Sequence, residues 1–85
     1  MTMPPLFPAV ACVQFPIVLG EVEQNISQVE GLLDQFQPDP ETLMLLPEMW
    51  ATGFDYERTA ELGRRTPEIL ARMQRIAAGH RVVVA

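Results

Sequence analysis

The sequence contains no lysine, one cysteine and one serine, and it has few basic residues of any kind. A single cysteine cannot form an internal disulfide, which favours a reducing, cytoplasmic location. The six basic residues are all arginines and stand against eleven acids, so the net charge of −5 gives no basic footprint for nucleic acid. No apolar run approaches the roughly 18 residues that a membrane span requires. We therefore expect a protein that binds neither nucleic acid nor a membrane.

The N-terminal residues have a superficial likeness to a secretion signal, because residues 9–11 have the small-x-small form of a cleavage site. No basic residue precedes the apolar part, and Pro4, Pro5 and Pro8 would break the short helix that a signal needs. We expect a proline-rich lead-in followed by a first strand.

The order of elements along the chain is predicted to be strand, helix, strand, helix, strand, without internal repeats. Two strand-helix-strand crossovers of this length predict a parallel sheet with right-handed connections. A parallel sheet is usually covered by helices on both faces, so we expect a three-layer α/β unit. The predicted strands are residues 9–15, 43–46 and 81–85, and the predicted helices are residues 21–36 and 66–79.

Both predicted helices carry an apolar stripe at helical spacing. The second helix has a clear start, since Thr66 can cap it and Pro67 suits a first helical position, and Gly79 is expected to end it. A single helical turn is expected within residues 59–62. The stripes consist of Val22, Ile26, Val29, Leu33 and Phe36 in the first helix, and of Ile69, Leu70, Met73, Ile76 and Ala77 in the second.

The segment 43–54 contains the strongest functional signal of the sequence. Four large apolar residues predict a strand buried on both faces, Pro47 removes a ladder donor, and Gly53 permits a turn. Glu48 is therefore expected at the carboxyl end of a strand, where ligands bind in open α/β sheets, in a partly buried position. Trp50 and Phe54 either line a pocket beside Glu48 or pack beneath the loop.

This segment, together with strand residues 9–16 and helix residues 23–26, resembles the N-terminal part of the carbon-nitrogen hydrolases of the nitrilase superfamily, and most of all their omega-amidase-like branch. The resemblance runs from about Ala9 to Ala85 and corresponds to the first third of such an enzyme. It implies that residues 1–85 are a partial domain, namely the N-terminal third of a four-layer α-β-β-α sandwich built on a parallel β-α-β-α-β unit.

The resemblance also implies a chemistry. Family members hydrolyse amide or nitrile bonds with a Glu, a Lys and a Cys, and Glu48 matches the glutamate that acts as general base. The family needs no metal or organic cofactor, acts on small molecules, and usually forms homo-oligomers. Because the sequence has no lysine and its one cysteine falls in the first strand, we expect these 85 residues to be inactive alone.

The other reactive residue types have ordinary interpretations. Cys12 is expected in the middle of a buried strand, where a thiol is usually inert. His80 has no acid, His or Cys at ligand spacing, so it is expected to be a helix-end or surface residue. Ser27 lies on the first helix, without the strand-to-helix elbow that exposes a nucleophile.

Two interpretations from other classes remain open. A nucleotide-binding half domain would use the turn at residues 16–21, although that turn has one glycine and an acid where a phosphate needs several glycines and free amides. An inactive packing or assembly element would instead use the ladder that the third strand leaves exposed. Nucleotide should stabilise the first, whereas only a complementing C-terminal chain should stabilise the second.

Overall fold

The computed structural model describes residues 9–85, so the predicted proline-rich lead-in lies outside the described residues. Three strands form one parallel sheet in the order β1-β2-β3, with β2 in the centre. The expected order of elements and the parallel pairing are confirmed. The elements are β1 (Val10–Cys12), α1 (Val22–Phe36), β2 (Leu43–Leu45), a 3-10 turn (Tyr56–Arg58), α2 (Thr59–Gly63), α3 (Thr66–His80) and β3 (Val83–Val84).

The two long helices lie on the same face of the sheet, so the expected three-layer unit is wrong for the described residues. One face, which we call the helix face, packs against the common core of both helices. The strands advance in one direction, from β1 to β2 to β3, and two crossovers of the same hand then place their helices on one side. The helix face carries Ala11, Val13, Met44, Leu46 and Val84.

The opposite face of the sheet, which we call the open face, is apolar, and no helix among residues 9–85 covers it. Cys12 pairs with Leu45, and Leu43 pairs with both Val10 and Val83, so these five side chains share that face. Val10 is 59% exposed, Leu45 37% and Val83 44%. The prediction that residues 43–46 are buried on both faces is therefore wrong. Cys12 is likewise exposed, because it lies on the open face of the edge strand β1.

Helix α1 buries the apolar stripe predicted from its spacing, except at its last residue. Val22, Ile26, Val29 and Leu33 are buried, whereas Phe36 is exposed. Phe36 lies beside β1, whose outer edge has no neighbouring strand in the described part of the chain. The helix ends at Phe36, as predicted, shortly before Pro38 and Pro40, with Gln37 in the left-handed conformation and its N–H bonded to the Leu33 carbonyl.

Helix α3 begins and ends differently from the prediction. The backbone of Arg65 is already helical and its carbonyl accepts the Ile69 N–H, so Thr66 lies inside the helix and does not cap it. At the other end the helix continues through Gly79, and Arg81 takes the left-handed position. Val82 N–H bonds the Ala77 carbonyl, which is the Schellman arrangement, and burial of the Val82 side chain fixes the exit there.

The stripe of α3 is also narrower than predicted. Ile69 and Met73 are buried and Ile76 and Ala77 are partly buried against the core, but Leu70 is 58% exposed. The helical turn expected within residues 59–62 is present as α2. None of the helices described in residues 9–85 is long and apolar enough to cross a membrane.

Candidate active site

The central strand ends where the sequence predicts. Two ladder bonds run beyond the strand, one from Val13 N–H to the Leu45 carbonyl (2.8 Å) and one from Leu46 N–H to the Ala85 carbonyl (2.9 Å). Pro47 has no N–H to continue the ladder, and the chain turns at residues 48–52. Glu48 thus follows the carboxyl end of β2, at the edge of the sheet expected to carry chemistry.

The turn that begins with Glu48, residues 48–53, has an unusual backbone. Met49 adopts the left-handed conformation (φ 54°), which costs free energy for a residue with a side chain. Gly53 N–H closes the turn onto the Met49 carbonyl (2.7 Å). We call residues 48–53 the acid turn.

Gly53 is the residue that lets the acid turn dock on the loop after β1. Its φ is +69°, and a Cβ there would lie 3.1 Å from the Leu19 Cδ1 atom. The neighbouring carbonyl of Thr52 accepts the Gly20 N–H at 2.7 Å, where Gly20 also has a positive φ. Glycine is favoured at both positions because any other residue would be strained.

Asn25 of α1 joins the loop after β1 to the acid turn. Its side chain is completely buried, and its Oδ1 accepts the Val18 N–H at 2.8 Å. Its Nδ2 donates to the carbonyls of Val18 (2.9 Å) and Ala51 (2.8 Å). Ala51 belongs to the acid turn, so one amide ties the loop after β1 to the turn that carries Glu48.

The Glu48 side chain is exposed, and the expected partial burial is wrong for the described residues. No segment among residues 9–85 covers this side of the turn.

The two aromatic residues of the motif both line a groove of about 450 Å³ between the acid turn, α2 and α3. Trp50 also packs against the core and meets Phe15 edge-on, with ring centroids 6.5 Å apart, whereas Phe54 is 52% exposed. Five residues of the acid turn, 49–53, line this groove, but Glu48 is not among the lining residues.

The remaining candidate residues lie away from the acid turn. Ser27 is exposed on α1. His80 is the last residue of α3, as the helix-end prediction states, and its Nε2 lies 3.1 Å from Asp34 Oδ1. The two residues are 46 positions apart, so only the fold brings them together. Within residues 9–85 no group of three or more His, Cys, Asp or Glu side chains could hold a metal ion.

Asn25 is the site residue whose importance the sequence analysis missed. A signal was present, since Val22, Asn25, Ile26 and Val29 follow the i, i+3, i+4, i+7 spacing of a buried face. A polar residue in such a stripe must find hydrogen-bond partners in the interior. The loop after β1 and the acid turn supply these partners for Asn25.

The comparison with protein families agrees with this arrangement. The family described as carbon-nitrogen hydrolase matches residues 9–85, a range that includes both loops and Glu48. The chain belongs to the carbon-nitrogen hydrolase family.

One curated relative is the 2-oxoglutaramate amidase of Bacillus subtilis (strain 168), which is 34% identical over 53 residues. The match covers 62% of this chain but 20% of the relative, so the chain spans about a fifth of the length of the curated protein that it matches. That relative is an amidase, in agreement with the omega-amidase-like branch indicated by the sequence. No solved structure matches the chain.

Proposed function

We propose that residues 1–85 form the N-terminal part of an amidase in which Glu48 is the general base. The family match carries this proposal, because it spans the Pro47-Glu48-Met49 motif at the carboxyl end of the central strand. The three-dimensional support is the acid turn, whose left-handed Met49 and buried ties to Asn25 are the kind of strained, over-determined backbone that clusters at active sites.

The proposed reaction uses two further groups that this sequence does not supply, a lysine and a nucleophilic cysteine. Glu48 takes the thiol proton, the thiolate attacks the amide carbon, and Glu48 then passes that proton to the leaving nitrogen, which departs as ammonia or an amine and leaves a thioester and the Glu48 carboxylate. Glu48 then activates water, which hydrolyses the thioester. The exposed position of Glu48 is consistent with this proposal, since the segments that bear the lysine and the cysteine would also form the other walls of the pocket.

The open face supports the four-layer form of the proposal. Val10, Leu45 and Val83 make an apolar surface on the side of the sheet opposite the helices. A second sheet packed there would bury this surface and complete an α-β-β-α sandwich. The 85 residues alone are proposed to be inactive and to act with that complementing part.

The hydrogen bonds of the loop after β1 argue against the nucleotide-binding alternative. The turn at residues 16–21 would have to offer free amides to a phosphate. Instead Val18 N–H donates to Asn25, Gly20 N–H donates to Thr52, and Glu21 N–H donates to the Val18 carbonyl. The inactive packing element remains the rival, and loss of amidase activity in the complete protein would favour it.

The test uses the complete protein, meaning the polypeptide in which residues 1–85 are joined to the segments that bear the lysine and the cysteine. Because the relative is a 2-oxoglutaramate amidase, the first substrate to assay is 2-oxoglutaramate, a primary amide, with ammonia release as the readout. Glu48→Gln should reduce turnover at least about a hundredfold, since it removes a positioned base.

The matched control is Glu57→Gln, which removes another exposed acid in the 3-10 turn that follows the acid turn. It should retain turnover. Near-normal turnover of Glu48→Gln, with ammonia still released by the wild type, would remove Glu48 from the mechanism. A cytoplasmic location and a homo-oligomeric state stay predictions from composition and family resemblance; size-exclusion chromatography with light scattering tests the second.

A further inference from the structure

The side-chain amide of Asn25 makes three hydrogen bonds to the loops at the carboxyl end of the sheet, one through its oxygen and two through its nitrogen. Its oxygen faces a backbone N–H and its nitrogen faces two carbonyl oxygens. The opposite orientation of the amide would set nitrogen against N–H and oxygen against two carbonyls. The orientation is therefore fixed, and Asn25 is a rigid connector.

Asn25 joins the loop after β1 to the acid turn through its side chain. A backbone hydrogen bond, from Gly20 N–H to the Thr52 carbonyl, also joins these two segments. Both ties reach the acid turn at adjacent residues, Ala51 and Thr52. Gly53 then packs against Leu19 of the loop after β1. The acid turn is thus held along one side, at residues 51–53, while Glu48 lies at its other end.

The left-handed Met49 makes this support necessary. A residue with a side chain holds such a conformation only at a cost in free energy, and the surroundings must impose it. The Met49 carbonyl is bonded to Gly53 N–H, within the tied part of the turn. Releasing Ala51 from Asn25 would let residues 49–53 relax and redirect Glu48, the residue immediately before Met49.

We infer that Asn25 is a positioning residue that fixes the direction of Glu48 through its bond to the Ala51 carbonyl. This inference deepens the proposed function and rests on it. A misplacement of about 1 Å at a reacting group can cost roughly a hundredfold in rate. Loss of Asn25 should therefore affect the chemical step, in addition to any loss of stability from a buried amide.

The most informative variant is Asn25→Asp, because it keeps the size of the side chain and the acceptor for Val18 N–H. It loses the donors to the Val18 and Ala51 carbonyls. In the complete protein, kcat should fall roughly tenfold to a hundredfold, whereas KM should change little. If this variant is unfolded by circular dichroism, Asn25→Ser, which is neutral and smaller, takes its place in every comparison.

The matched control is Gln28→Ala, one turn further along α1. Gln28 Nε2 donates to the Pro16 carbonyl at 2.9 Å, so it contacts the loop after β1 but not the acid turn. Gln28→Ala should lower thermal stability without lowering kcat. An equal loss of kcat in both variants would mean that the loop after β1, and not the acid turn, matters.

A second readout separates positioning from general stability. On a Glu48→Gln background, a residue that acts through Glu48 has nothing left to position, so Asn25→Asp should cause little further loss of turnover. Multiplicative losses in the double variant would overturn the inference, as would a normal kcat in folded Asn25→Asp protein. Near-normal turnover in Glu48→Gln alone would instead overturn the proposed function, so the two failures are distinguishable.

Discussion

The two faces of the sheet differ in how far the described residues, 9–85, cover them. The helix face packs against α1 and α3 around a core that includes Ile26, Met44 and Met73. The open face is made by the same three strands and is nearly as apolar, yet Val10, Leu45 and Val83 remain exposed. Monomeric proteins rarely leave such a contiguous patch uncovered.

This difference supports the proposed second sheet, because the open face differs in composition from an ordinary solvent-exposed face. An antiparallel sheet with one wet face alternates apolar and polar residues, whereas these strands are apolar on both sides. The acid turn at the carboxyl end of the sheet is likewise supported on one side and exposed on the other. Asn25 of α1 bonds the Ala51 carbonyl, whereas the Glu48 side chain is exposed. Both features fit the proposed second layer.

The largest expected effect comes from two adjacent residues of β2 that point to opposite faces. In the 85-residue chain, Met44→Ala should lower the free energy of unfolding by about 2–5 kcal/mol, because it leaves a cavity in the core. Leu45→Ala should cost about 1 kcal/mol or less. Urea denaturation followed by circular dichroism measures both. Equal costs would mean that the two faces do not differ in packing.

The same pair sharpens the comparison in the complete protein. If a second sheet covers the open face, the cost of Leu45→Ala should rise toward that of Met44→Ala, since Leu45 then becomes a core residue. An unchanged small cost would leave the open face in solvent and would contradict the four-layer proposal.

An intermediate effect is expected for the Cys12 thiol, which is a natural probe of the open face. In the 85-residue chain it should react with iodoacetamide at nearly the rate of the unfolded chain, because it is exposed. In the complete protein its rate, followed by peptide mass spectrometry, should fall about tenfold or more.

The control for this labelling is Ser27→Cys in a Cys12→Ser background, which places the thiol on the exposed side of α1. Its rate should be the same in the 85-residue chain and in the complete protein. Protection of both thiols would indicate a general loss of access, and protection of neither would show that the open face stays uncovered.

The smallest expected effect concerns the ion pairs that tie the helices of the helix face together. Glu23 of α1 bonds Arg65 (3.0 Å) and Arg72, and the hydrogen bond from Arg72, followed by that from Arg65, lowers the pKa of Glu23 below its ordinary value. A lowered folded-state pKa stabilises the protein above the unfolded-state pKa, about 4.3, and this contribution disappears as the pH falls through the folded value.

Replacing Glu23 with Gln should therefore lower the melting temperature slightly at pH 7, and the difference from the wild type should vanish in acid. Glu30→Gln, an exposed acid of the same helix that forms no ion pair among the described residues, is the control. A difference that persists at pH 2 would show that the effect is not electrostatic. The ion pairs are exposed, so salt should weaken the effect.

The sequence predicted the elements well because their signals are local. The stripe of α1, the stop at Pro47 and the end of α1 before Pro38 each depend on neighbouring residues, and the structure agrees with all three except at Phe36, which is exposed. The placement of Glu48 at the end of β2 was predictable for the same reason, because an apolar run followed by Pro47 and a turn defines where that strand stops.

The predictions that failed depend on the arrangement of elements in space. Whether Cys12 and Leu45 are buried depends on which side the helices take, and this follows from the strand order, which no local pattern reveals. The pairing of His80 with Asp34 and the bond from Asn25 to Ala51 join residues far apart in sequence. The helix ends at Arg65 and Arg81 were missed because neighbouring turns and the burial of Val82 outweighed the usual capping residues.

The most direct measurement of the central claim is the rate at which the complete protein forms a covalent acyl-enzyme. Intact-mass spectrometry after rapid mixing with a primary amide should show the wild type gaining the acyl group with loss of ammonia, and Glu48→Gln gaining it at least about a hundredfold more slowly. Formation of the same adduct at the same rate in Glu48→Gln would contradict the assignment of Glu48 as the general base.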